Sequence, residues 1–200
     1  MEINNEKLKI GIDIDEVVTE FLKSYLEFYN KKYNSSLNKE KITNYHLWEC
    51  GIHKSKEDSI NEVMEFQESP SFEKIDLVEG AKEGIKKLSK KFNIYFITSR
   101  PENLKDKTNT FFERHFPQNE FKIFFSGEIY GENLSKPSIC KNLKISLIIE
   151  DNPSCALDCA ESGIKVFLLD KPWNKSCKEH ENIIRVGDWK ILLENLEDLQ

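Results

Sequence analysis

The chain has 200 residues, 38% hydrophobic and 32% charged, enough for one large domain, or for a core domain carrying a smaller insertion. Its net charge of −6 and pI near 5.4 argue against a nucleic-acid-coating surface, which needs clustered Lys and Arg; a small anionic substrate in a locally positive pocket stays compatible. No apolar run approaches the roughly 20 residues that span a bilayer, residues 1–7 lack the apolar segment of a signal peptide, and five cysteines without CxxC spacing read as free thiols of a reducing cytoplasm.

In chain order, the first element is an apolar strand over 8–14 that runs straight into Asp13 and Asp15. Side chains alternate along a strand, so these carboxylates leave on one side and Ile12 and Ile14 on the other. Paired negative charge beside buried apolar neighbours calls for a cation or a proton. Residues 17–72 then carry no strand signal. They hold an amphipathic stretch (Phe21, Leu22, Tyr25, Leu26, Phe28, Tyr29), a polar turn at 34–36, an aromatic cluster of Tyr45, His46 and Trp48, and a second helical stretch at 56–68 closed by Pro70. This reads as a helical insertion with hinges near 16–20 and 70–79. Beyond it, helical patterns at 80–91, 102–115, 135–142, 153–162 and 187–198 alternate with strand-like runs at 92–98, 121–126, 145–149 and 164–169. Near-continuously apolar strands alternating with helices predict a doubly wound parallel α/β sheet covered on both faces. The expected division is a core of residues 1–16 and 73–200 and an inserted unit of residues 17–72.

Ligands of open parallel sheets bind beyond the carboxyl ends of the strands. The polar residues after each apolar run should therefore meet: Asp13 and Asp15 after the first, Thr98, Ser99 and Arg100 after 92–97, and Glu150 and Asp151 after 145–149. Lys136, at a helix start before that last strand, can reach the same crevice. Carboxylates from two strands suit Mg²⁺ together with waters and a phosphate, while a hydroxyl, backbone amides and a lysine suit phosphate oxygens. A carboxylate placed in line with phosphorus can attack it, and a second can protonate the departing alcohol and later deprotonate water.

The ordered set Asp-Ile-Asp-Glu, Ile-Thr-Ser-Arg, Lys136 and Ile-Ile-Glu-Asp resembles the four motifs of the haloacid-dehalogenase-like (HAD) phosphatase superfamily. The insertion after the first motif resembles a type C1 cap, and the string Asp-Ile-Asp-Glu-Val-Val-Thr-Glu-Phe, the Thr-Ser-Arg-Pro step and the length are most similar to the 5'(3')-deoxyribonucleotidase-like branch. The resemblance implies a HAD-like Rossmannoid core with a small helical cap. It implies Asp13 as the nucleophile that forms an aspartyl-phosphate and Asp15 as the general acid/base. It assigns Thr98, the Ser99 amide and Lys136 to phosphate. Mg²⁺ would be held by Asp13, the backbone carbonyl of Asp15, and Asp151, with Glu150 bound through water. Phe21 falls where related nucleotidases stack an aromatic ring on the base. One departure is Glu16, where this family often has glycine.

Each feature also has a plainer use. Thr98 and Ser99 could cap the following helix, Lys141 or Lys144 could compete with Lys136, and Phe21, Tyr45 and Trp48 could simply pack the insertion. Arg100 could touch substrate or pair with a nearby acid. The expected activity is Mg²⁺-dependent hydrolysis of a small phosphate ester, foremost a nucleoside monophosphate. A sugar phosphate or phosphoglycolate is the alternative within the same mechanism. A phospho-accepting receiver-type regulator is the remote one, because receivers keep the acceptor Asp on the third strand. Neither a nucleic-acid polymer nor a membrane is an expected partner, and the linear pattern leaves oligomeric state open.

Overall fold

Six parallel strands form one sheet in the order β3-β2-β1-β4-β5-β6, seen in a computed structural model that describes residues 7–127 and 134–197. They are β1 (Lys9–Ile12), β2 (Asn93–Thr98), β3 (Lys122–Phe125), β4 (Leu147–Glu150), β5 (Lys165–Leu169) and β6 (Ile183–Val186). The central strand β1 pairs with β2 on one side, with Ile10 opposite Ile94, and with β4 on the other, with Ile10 opposite Leu147.

Alternation sends each strand's side chains to two separate cores. Ile10, Ile12, Phe96, Ile149 and Phe167 face one cluster, together with α3 (Ala81–Lys91), α4 (Lys105–His115) and α7 (Trp189–Glu197). Ile97, Ile148, Val166 and Leu168 face the other, with α5 (Lys136–Leu143) and α6 (Pro153–Glu161). A sheet covered in this way has no wet face, which is why its strands read as unbroken apolar runs. The fold is the expected doubly wound α/β sheet.

Between β1 and β2 the chain inserts α1 (Phe21–Tyr33) and α2 (Lys56–Glu68). Their apolar faces build a third cluster with Ile42, Phe72 and Ile75, and it continues onto Leu104 and Trp173 of the sheet-bearing part. α1 ends at Asn34 in the left-handed region (φ 51°), and the Asn30 side chain brackets the following loop through the Leu37 amide and carbonyl. Ser55 caps α2 by accepting from the Asp58 amide at 3.0 Å.

Two expectations need correction. The helix expected at 102–115 opens as a short 3₁₀ turn over Glu102–Leu104 and becomes α-helical only at Lys105. The sixth strand, Ile183–Val186, was not anticipated. It is a four-residue edge strand with an outward Arg185, entered from a polar stretch, so it has no continuous apolar run. Residue 198 of the last expected helix lies outside the described residues. Among the described residues, no helix is long and apolar enough to cross a membrane.

Trp189 fastens α7 to the site-bearing turn. It is buried, and its indole N–H donates to the Val17 carbonyl at 2.8 Å. Gly80 and Gly84 make room for it: Gly80 takes φ 78° at the start of α3, and a Cβ on Gly84 would collide with the six-membered ring of Trp189. Gly84→Ala is therefore expected to lower unfolding stability by about 1–3 kcal/mol through overpacking. Urea denaturation followed by Trp fluorescence measures this, and an unchanged midpoint would show that α7 is free to shift.

Candidate active site

Because the strands are parallel, the carboxyl ends of β1, β2 and β4 lie at one edge of the sheet, and the residues after them meet there. Asp13 extends β1 by one rung, its amide donating to the Ile149 carbonyl at 2.9 Å. Glu150 is the last residue of β4 and Asp151 follows it. Asn152 and Pro153 then start α6, with the Asn152 side chain accepting from the Ser154 and Cys155 amides.

Lys136 is the first residue of α5, and its ammonium lies between two of these acids. It donates to Asp13 Oδ1 at 2.7 Å and to Glu150 Oε1 at 2.6 Å, with all three side chains buried. The competing Lys141 and Lys144 are exposed. The second oxygen of Glu150 accepts from the amides of Asp151 (2.8 Å) and Asn152 (3.0 Å). Asp151 Oδ2 accepts from the Trp173 indole at 2.8 Å, and Asn174 donates to the carbonyls of Asp151 and Leu169. Carboxylate oxygens of Asp13, Glu150 and Asp151 lie within 4.8 Å of one another.

Three buried acids lie together with one ammonium, which contacts two of them, and their proton affinities record the imbalance. Burial, then the charge of Glu150, pushes the Asp13 carboxyl up to about 7, with Lys136 only partly opposing. Burial, then Glu150 and Asp13, raises Asp151 well above the usual carboxylate range. Burial works against Glu150 too, yet Lys136 and the amide donors hold it below its ordinary value. Lys136 is buried as well, and the acids keep its ammonium well above the usual lysine range.

Asp15 is held separately. Arg100 grips it with Nε at 2.9 Å and Nη2 at 2.6 Å, and the Thr19 hydroxyl donates to it at 2.9 Å. The remaining Arg100 nitrogen, Nη1, donates to Thr108 Oγ1 at 3.0 Å, and the guanidinium stands 4.9 Å from the Phe72 ring centre. Arg100 thus pairs with an acid here while also lining the cleft. Thr98 is buried at the end of β2, and its hydroxyl accepts from the Arg100 amide at 3.2 Å. Ser99 is half-buried and lines the cleft. Glu16 adopts φ 65°, the left-handed conformation that glycine enters freely, and so occupies a turn suited to the more usual glycine.

A cleft with about 930 Å³ of empty volume opens above the acids, its far wall supplied by α1, α2 and the loop between them. Phe21 lines it while packing edge-on against Phe66 (5.4 Å) and Phe72 (6.4 Å). His46 stacks on Trp48 at 4.1 Å, and both line the cleft beside Tyr45. Burial, then the charge of Asp151, holds the Tyr45 phenol well above its usual range, so it stays neutral. Trp173 and Asn174 were missed by the sequence reading, although they follow the apolar run of β5 and the rule applied to the other strands would have found them.

The profile of the family described as 5' nucleotidase, deoxy (pyrimidine), cytosolic type C protein matches residues 7–194. A nucleotidase of Clostridium acetobutylicum is 29% identical over 188 residues, covering 92% of this chain and 91% of that protein. Among solved structures, the haloacid dehalogenase-like family protein SP0104 of Streptococcus pneumoniae superposes with a TM-score of 0.69 at 14% identity, covering 99% of this chain and 100% of that one. The HAD-hydrolase YfnB of Bacillus subtilis bound to magnesium gives 0.64 at 17% identity, covering 96% and 99%. With a HAD-like fold and a profile match along almost its whole length, the chain belongs to the 5' nucleotidase, deoxy (pyrimidine), cytosolic type C family.

Proposed function

We propose that this protein is a Mg²⁺-dependent phosphomonoesterase that hydrolyses a nucleoside monophosphate through a phosphorylated Asp13. The observation that carries the reading is the Asp13–Lys136–Glu150 contact beneath an aromatic cleft. Lys136 fixes one oxygen of Asp13, leaving the other to attack phosphorus. The new bond joins Asp13 to phosphorus while the ester bond breaks, and Asp15 hands a proton to the departing alcohol. Asp15 then takes a proton from water as that water attacks phosphorus, which frees Asp13 and releases phosphate. To reach the ester oxygen, Asp15 exchanges one of its Arg100 contacts for the substrate. Thr98 and the Ser99 amide bind the phosphoryl oxygens.

The donor set fits Mg²⁺. Asp13, Glu150 and Asp151 bring three negative charges against the single charge of Lys136, and all offered atoms are hard oxygens. Asp13 and Asp151, with the Asp15 carbonyl, would hold the ion. When bound, it supplies positive charge that offsets the acids and the phosphoryl oxygens.

We read residues 17–72 as a cap over residues 1–16 and 73–200. The cleft above the acids separates the substrate alternatives. Phe21, Leu22, Ile42, Trp48 and Val63 give it an apolar and aromatic lining, and Arg100, the cation there among the described residues, is engaged by Asp15 and Thr108. A flat neutral base suits such walls, whereas the carboxylate of phosphoglycolate would have to compete with Asp15 for Arg100. We also read the protein as cytoplasmic, from its five free thiols.

With Mg²⁺, the enzyme is expected to release phosphate from nucleoside monophosphates, and EDTA is expected to stop it. Asp13→Asn should lower turnover by at least about a thousandfold while keeping the fold, checked by phosphate release and circular dichroism. Release from sugar phosphates alone would overturn the substrate assignment, and near-native turnover by Asp13→Asn would remove Asp13 as nucleophile.

A second expectation concerns pH. The carboxyl of Asp13 goes from an ordinary value of 3.8 up to about 7 on folding, so the folded state holds a proton that the unfolded state releases. That stabilising contribution is complete below about 4 and is lost as pH rises through about 7. The EDTA-treated protein should therefore lose thermal stability across this window, and Mg²⁺ should restore more at pH 8 than at pH 5. Melting scans in both conditions check this; stability that rises with pH in EDTA would sink the charge-imbalance account.

A further inference from the structure

We propose that Glu16 is a positioning residue: its carboxylate fastens Lys39, on the loop after α1, to the turn that carries Asp13 and Asp15, and so holds the aromatic wall of the cleft over the acids. The proposal rests on reading residues 17–72 as a cap. Glu16 is buried and occupies a left-handed backbone position, φ 65°, that disfavours any side chain. A side chain kept there should earn its place through contacts, and it makes three. Its Oε1 accepts from the Leu22 amide at 2.6 Å, capping the first turn of α1, whose own N-cap residue Glu20 makes no side-chain cap. Its Oε2 faces the Lys39 ammonium at 2.6 Å and the Lys171 ammonium at 3.8 Å.

Lys39 comes from the insertion and Lys171 from the end of β5, so Glu16 joins the two parts of the molecule at the junction where the chain first passes between them. Lys39 has two further anchors. It pairs with Glu20 at 3.1 Å, and it stands 5.7 Å from the ring centre of Trp173, whose indole donates to Asp151. The same loop runs on to Ile42, Tyr45, His46 and Trp48, all of which line the cleft. Fixing residue 39 therefore fixes the start of the segment that forms the wall. If the loop lifts away, Glu16 keeps only the Leu22 amide and the more distant Lys171, and the loss of its 2.6 Å partner opposes that movement. A glycine in this turn, as is common in the family, would relieve the backbone and would provide no such tie.

The test uses the full-length chain with Lys39→Met, Glu16→Gln, the double variant and Lys39→Arg. Lys39 is partly exposed and its replacement is the gentler change to the fold. Each single variant is expected to lower the preference (ratio of kcat/KM) for a nucleoside monophosphate over acetyl phosphate, which has no ring, by roughly tenfold. The double variant should lose no more than the worse single one, since both remove one link, and Lys39→Arg should recover most of the preference. Hydrogen exchange should rise in residues 38–48 and stay unchanged in β4 and β5. Additive losses, an unchanged preference, or a uniform rise in exchange would each overturn the proposal. If the wild-type chain releases phosphate from no substrate, the phosphatase reading fails by itself, and the exchange pattern alone decides the role of Glu16.

Discussion

The placement of Lys136 between Asp13 and Glu150 is the constraint on which the rest of the site depends. Removing three carboxylates from water is expensive, and a single ammonium does not balance them. The protein answers in two ways. Glu150 is stabilised as an anion by Lys136 and two backbone amides, so it serves as a fixed counter-charge. Asp13 and Asp151 keep oxygens directed to a shared space and hold their protons more tightly than ordinary carboxylates. A site left short of positive charge in this way is suited to a cation.

Positioning of these groups follows from the sheet. Parallel strands put the ends of β1, β2 and β4 side by side, so residues more than a hundred positions apart, such as Asp13 and Lys136, meet without any long loop. A surrounding ring of contacts then restrains them. Trp173 and Asn174 tie Asp151 to the end of β5, Arg100 and Thr19 hold Asp15, and Trp189 holds the Val17 carbonyl from the opposite face. Side chains held by packed neighbours lose little freedom when substrate arrives, which is how a rigid scaffold favours reaction.

Much of this was legible in the sequence because burial and charge leave linear traces. Ile-Ile-Glu-Asp is an apolar run ending in acids that need a partner, and the five apolar runs each hold a strand, with helices between them, the one after β2 opening as a 3₁₀ turn. What was not legible depends on choices made only in space. That Arg100 pairs with Asp15, 85 positions away in the chain, depends on the ends of β1 and β2 lying side by side. The edge strand Ile183–Val186 is covered less than the central strands and so carries a mixed pattern. Trp173 looks like any apolar residue in a Pro-Trp-Asn turn, and only its indole bond to Asp151 gives it a part in the site.

Glu16 shows how the two halves of the molecule are connected. The acids and their lysine come from strand and helix ends of the sheet-bearing part, whereas most of the aromatic walls come from the insertion, whose apolar cluster is shared with Leu104 and Trp173. The acids and most of the aromatic lining thus come from different parts of the chain. Such a division works only if the pieces are held in register during turnover. The first crossing between them is the turn of Asp15–Thr19, where the backbone is already committed by the Glu16 amide donating to the Thr19 carbonyl. A glycine there satisfies the turn geometry but leaves register to packing alone. A glutamate accepts backbone strain of about 1–2 kcal/mol and places a charge where cations from both pieces reach it. Strain retained at such a junction has a use only if the contacts it permits matter to how the cleft is held.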